Sequence, residues 1–104
     1  MAFKEIQNRV DDWIDQYTTG YWKPLEVLAR LTEETGELAR EVNHRFGPKQ
    51  KKIGEDNKEL GDEMADIIFT LTCLANSLGV DLEDAFNCMM DKLEERDGDR
   101  WKKK

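Results

Sequence analysis

Apolar residues recur along this chain at intervals of three and four rather than alternating, a pattern that predicts helices and no strands. In the first segment Phe3, Ile6, Val10, Trp13, Ile14 and Tyr17 share one helical face opposite a polar one, and that stripe is expected to be core. The stretch TTGYWKP breaks the period: Gly20 permits a turn, and Pro24 suits the first position of a new helix. The second helix is expected from about Pro24 to Phe46, with Leu28, Leu31, Leu38, Val42 and Phe46 on its apolar side. It stops at GPKQKKIG, where Gly47 can cap and Pro48 cannot continue the helix, and a basic loop follows.

The third helix is expected from about Asn57 to Leu78, with EDN supplying caps and Leu60, Met64, Ile67, Ile68, Leu71, Leu74 and Leu78 forming its stripe. Gly79 ends it, and Asp81 opens a fourth helix with Asp84 three residues on, as in a capping box. Leu82, Ala85, Phe86, Met89, Met90 and Leu93 form its apolar face, a core or a subunit interface. The tail from Asp97 to Lys104 is polar and expected to fray, so residues 1–104 are expected to form one all-α domain, a four-helix bundle.

Composition narrows the function. With 38% hydrophobic and 38% charged residues in a chain of 104, the core is lean, and self-association would bury further apolar area. A net charge of -7 argues against nucleic acid as a partner, and any contact with phosphates would need cations between. Cys73 and Cys88 stand in apolar helical surroundings and are expected to be reduced core thiols. No apolar run reaches the ~18 residues of a membrane span and the N-terminus lacks a signal segment, so the expected address is the cytoplasm.

Candidate chemistry lies in the acids. Glu34-Thr-Gly-Glu37 and Glu59-Leu-Gly-Asp62 are each a carboxylate pair at i and i+3 with glycine directly before the second acid. Glu33 and Glu41 extend the first stripe, and Glu63 and Asp66 extend the second. Acid pairs alone carry little, because 23 acids in this length give about five such pairs by chance. The shared glycine is harder to dismiss, since a mid-helix glycine costs about 1 kcal/mol relative to alanine. It admits either a neighbouring helix or a ligand beside the carboxylates. Facing carboxylates repel unless protonated or bridged, and oxygen-only ligands suit Mg²⁺ or Mn²⁺ rather than zinc.

LTEETGELAREV, a gap of 21 residues between Glu37 and Glu59, and then ELGDEMADIIFTL together resemble the MazG-type nucleotide pyrophosphohydrolases. Their signature is ExxE followed, a dozen to nearly thirty residues later, by ExxD. The small format is similar to the YpjD-like branch of that family. The resemblance implies an oligomeric all-α bundle, a homodimer or homotetramer, that hydrolyses a nucleoside triphosphate, here a dNTP, to the monophosphate and pyrophosphate with Mg²⁺. It implies Glu34, Glu37, Glu59 and Asp62 as metal ligands, with Glu33, Glu63 and Asp66 beside them as candidates for a second ion or for orienting water.

No Ser-His-Asp or Cys-His arrangement is evident, so the nucleophile is expected to be water, with Glu34 or Glu37 as the base. Phosphate contacts are expected from Lys92 and Arg96, one turn apart on the fourth helix, or from Lys49, Lys51 and Lys52 in the basic loop. Trp22, His44 and Phe46 are candidates for contacts with the base. Two rival readings stand beside this one. The first is a phosphoribosyl-ATP pyrophosphohydrolase, and the second a non-catalytic helical oligomer whose acids only keep it soluble.

Overall fold

A computed structural model describes residues 2–48 and 59–104. Its helices are α1 (Phe3–Ile14), α2 (Pro24–Phe46), α3 (Leu60–Leu78) and α4 (Leu82–Asp97). Local chemistry accounts for most boundaries. Pro24 stands at the start of α2, and Gly79 terminates α3 in the left-handed region at φ 69°, a conformation that glycine adopts without a Cβ penalty. The Asp81 carboxylate caps α4 by accepting from the Asp84 amide at 3.1 Å. Asn57 and the EDN caps lie outside the described residues, and α3 begins at Leu60 behind an extended Glu59.

Helix α1 is shorter than its apolar stripe. It ends at Ile14, so Tyr17 falls in the turns that lead through Gly20, at φ 63°, to Trp22. Helices α2 and α3 pair along their lengths, α1 crosses α3, and α4 packs chiefly on α1, where the Phe3 and Phe86 rings lie 5.1 Å apart. Between α3 and α4 the chain bends by 107°. No single helix among the described residues is long and apolar enough to cross a membrane.

The result is an open arrangement. Its radius of gyration is 17.3 Å, where a compact chain of about 100 residues would have about 13 Å. It exposes 8519 Å², against about 6,100 Å² for a compact monomer of this mass. Only Val10, Val27, Cys73 and Ala75 form the fully buried apolar core among the described residues. Much of the predicted apolar surface faces outward: Leu28, Val42 and Phe46 on α2, Met64, Ile68 and Leu71 on α3, and Phe86, Met89, Met90 and Leu93 on α4. Cys88 is likewise exposed, unlike buried Cys73, on a helix that buries none of its residues.

A polar network fastens α1. The Gln7 side chain donates to Asn76 Oδ1 at 2.8 Å and to the Val80 carbonyl at 2.9 Å, and accepts from the Leu82 amide at 3.0 Å. Asn76 in turn donates to the Tyr21 hydroxyl at 2.9 Å, and that hydroxyl donates to Asp11. Burial first, and then the bond to Asp11, push the Tyr21 phenol from 10.0 up to about 12. The folded state thus holds this proton more tightly than the unfolded chain, so the linked stability is whole below pH 10.0 and is lost as pH rises through about 12. Thermal melts across that alkaline window should show a steeper fall in midpoint for wild type than for Tyr21→Phe. Equal slopes would remove Tyr21 from the account.

Candidate active site

The buried row of α2 is Val27, Glu34 and Glu41, spaced by seven, so two acids occupy positions where a packed helix would ordinarily place aliphatic side chains. Facing them, α3 buries Glu63 and, two turns on, Thr70. Glu34 and Glu63 are each only 2% exposed. Carboxylate oxygens of Glu34, Glu37 and Glu63 all lie within 4.8 Å of one another, with Glu37 on the exposed side of the group. The acidic stripes therefore meet at the α2–α3 seam.

Burying two carboxylates beside a third is unfavourable unless positive charge is supplied. A guanidinium supplies part of it: Arg30, one turn upstream on α2, places Nη2 2.8 Å from Glu34 and Nη1 3.6 Å from exposed Glu33. The remaining donor set is all oxygen, closely spaced and anionic, which is the chemistry a hard divalent cation requires. Glu34, Glu37 and Glu63 are the residues that would hold such an ion.

The other sequence-derived candidates are placed differently. Glu59 is exposed and sits 3.5 Å from Arg45. Asp62 is exposed in the first turn of α3, and neither belongs to the three-carboxylate group. Glu63-Met64-Ala65-Asp66 is itself an ExxD, separated from Glu37 by a gap of 25 residues, so the family spacing admits this frame as well as Glu59–Asp62. A methyl added at Gly36 or Gly61 would meet nothing within 4 Å, so among the described residues no neighbouring helix requires either glycine.

Beside the carboxylates opens a pocket of about 610 Å³ lined by residues of α1, the α1–α2 turn, α2 and α3. Glu34 belongs to both the acid group and the pocket wall, where Asp66 and Arg30 join it. The remaining wall is largely aromatic: Trp13, Tyr17, Trp22 and Phe69. Trp13 meets Tyr17 at 5.3 Å and Phe69 at 5.9 Å, both edge to face, which fixes the ring orientations. Cys73 also lines the pocket, its thiol pKa pushed up by burial and then by the Asp11 carboxylate.

Trp22 thus lines the pocket, whereas His44 and Phe46, near the end of α2, do not. Lys92 and Arg96 also stand away from it on α4, with Arg96 paired to Asp97 at 2.8 Å. Lys49, Lys51 and Lys52 lie outside the described residues. Trp13, Tyr17 and Phe69 were not singled out as site residues by sequence. The available signal is the aromatics flanking TTGYWKP, of which helical periodicity assigns Trp13 and Tyr17 to a core stripe; Phe69 lies far from that stretch in sequence and outside the α3 stripe.

The MazG nucleotide pyrophosphohydrolase domain matches residues 23–101 of this chain. The chain belongs to the MazG family. YpjD of Bacillus subtilis (strain 168) is 54% identical over 103 residues, covering 99% of this chain and 93% of YpjD. The crystal structure of Bacillus subtilis YPJD aligns with a TM-score of 0.79 at 53% identity, over 88% of this chain and 94% of that one. The crystal structure of the Bacillus-conserved MazG protein, a nucleotide pyrophosphohydrolase, aligns at 0.80 and 44% identity, over 95% and 96%. The expected all-α, four-helix architecture is accordingly that of a MazG protein, and this MazG-family chain is a nucleotide pyrophosphohydrolase. Hydrolases of the MazG family use divalent metals, in keeping with the carboxylate group at the seam.

Proposed function

We propose that this MazG protein hydrolyses a deoxynucleoside triphosphate to the monophosphate and pyrophosphate with Mg²⁺. One observation carries the reading: Glu34 joins a tight carboxylate group to an aromatic-walled pocket, so an ion-bound phosphate chain and a stacked base fit one continuous site. Glu34, Glu37 and Glu63 would hold Mg²⁺, with Asp66 directed to the same space. When bound, Mg²⁺ neutralises the carboxylates and the phosphate oxygens and stabilises charge on the departing pyrophosphate.

The chain's own residues do the rest. Trp13, Trp22 and Phe69 offer ring faces and edges to the base and exclude water around it. Glu37, the member of the group on the exposed side, takes the proton of the attacking water at its carboxylate oxygen. Glu34 is less suited to that step, since it lies buried at 2% exposure, away from the open side of the group.

The working form is a homodimer or homotetramer, because the outward apolar faces of α2, α3 and α4 need cover and because the excess surface is on the scale of a stable interface. In an assembly, Lys92 and Arg96 of one chain would be free to approach the site of another. Pyrophosphate release from each dNTP, measured with and without Mg²⁺, is the test, with phosphoribosyl-ATP run alongside. Release from dNTPs that vanishes on chelation is expected. Activity confined to phosphoribosyl-ATP would transfer the assignment to that rival, and inactivity on every nucleotide with metal present would favour the interaction module.

A further inference from the structure

The pocket has to accept a polyanion although two of its own wall residues, Glu34 and Asp66, are acids and the whole chain carries a net charge of -7. Among the described residues lining that wall, Arg30 carries the positive charge. Its position is unusual in two respects. Its partner Glu34 is held in place at 2% exposure, whereas the Arg30 side chain is 51% exposed and its other contact, at 3.6 Å, is to the exposed Glu33, so the anion is fixed and the cation has room to move. The order along the helix, arginine one turn before glutamate, is also the less favourable one against the helix dipole, so the pair contributes little as a helix brace.

We infer that Arg30 is a movable cation that occupies the Glu34 carboxylate while the pocket holds no nucleotide and passes to a substrate phosphate when one binds. This rests on the metal-site reading of Glu34, Glu37 and Glu63. A guanidinium lying 2.8 Å from Glu34 competes with a divalent ion for the same oxygen, so in the resting protein Arg30 weakens ion binding. A phosphate offers the planar fork an alternative bidentate partner. Transfer of Arg30 to that phosphate removes its competition with the ion for the Glu34 oxygen at the moment the substrate arrives. Nucleotide and ion should therefore strengthen each other's binding, a coupling that follows from one side chain having two mutually exclusive partners.

The test is Mn²⁺ binding by calorimetry to wild type, Arg30→Gln and Arg30→Lys, alone and with a dNTP analogue whose α,β-bridging oxygen is replaced by an imido group. Circular dichroism confirms that each variant is helical, and Arg30→Lys, which keeps the charge without the fork, serves should Arg30→Gln fail to fold. For Arg30→Gln we expect Mn²⁺ alone to bind several-fold more tightly than to wild type, and the analogue about tenfold more weakly, with most of the mutual enhancement lost. Arg30→Lys should retain part of the enhancement. A merely structural role for Arg30 would weaken both ligands together and would overturn the inference, as would Mn²⁺ affinity unchanged in Arg30→Gln. Failure of wild type to bind Mn²⁺ at all would overturn the metal reading itself, and the inference with it.

Discussion

Glu63→Gln is expected to lower kcat by about 100-fold or more, the scale on which losing one electrostatic group at a reacting centre is felt. Glutamine keeps the volume and an acceptor oxygen at a position 2% exposed, so the change isolates charge from packing. A second readout separates this loss from unfolding. The rise in midpoint that Mn²⁺ gives wild type should be largely lost in the variant, while its helical circular dichroism is retained. Asp62→Asn, made in parallel, should change kcat by less than about fivefold, since exposed charges are generally worth about 1 kcal/mol or less. Equal, severe losses in both variants would return Asp62 to the ligand set. An active Glu63→Gln would remove α3 Glu63 from it.

The second large effect is expected on the outward face of α3. Ile68 is 52% exposed in one chain, and substitution at an exposed site of a true monomer usually shifts stability by about 0.5 kcal/mol or less. In the proposed assembly that face is covered, and Ile68→Asp would bury an unpaired charge there at a cost of several kcal/mol. Sedimentation should show wild type as a dimer or tetramer and the variant shifted to smaller species, with a midpoint lower by roughly 10 °C or more, given that 1 kcal/mol moves a domain of this size by about 4–8 °C. A variant that sediments and melts like wild type would show that the face is not an interface.

Helix positions were legible because their signals are local. Pro24 sets the start of α2, Gly79 the end of α3 and Asp81 the cap of α4, and each acts within a few residues of itself. The family, too, was legible from acid spacing and order. Facing was harder, because a glutamate looks the same in sequence whether it points to water or to another helix. Glu34 and Glu41 share the buried row of α2 with Val27, while Leu28 and Phe46 turn outward, the opposite of what amphipathicity alone suggests. The two ExxD frames on α3 are offset by four residues and so lie on nearly the same face. Glycine context favours Glu59 and Asp62, whereas burial favours Glu63 and Asp66. Trp13 and Tyr17 match a core pattern because a binding pocket, like a core, is built of apolar rings.

The acids in the interior row of α2 and α3 also set a conflict between sturdiness and purpose. Leucine at position 34 or 63 would suit the local packing and spare the chain a buried charge, so mutational drift offers an easy route to a more durable but inert protein. Lineages that retain glutamate there must be paying for it with some loss of robustness, and any laboratory selection for heat resistance alone should recover aliphatic replacements at these two places early.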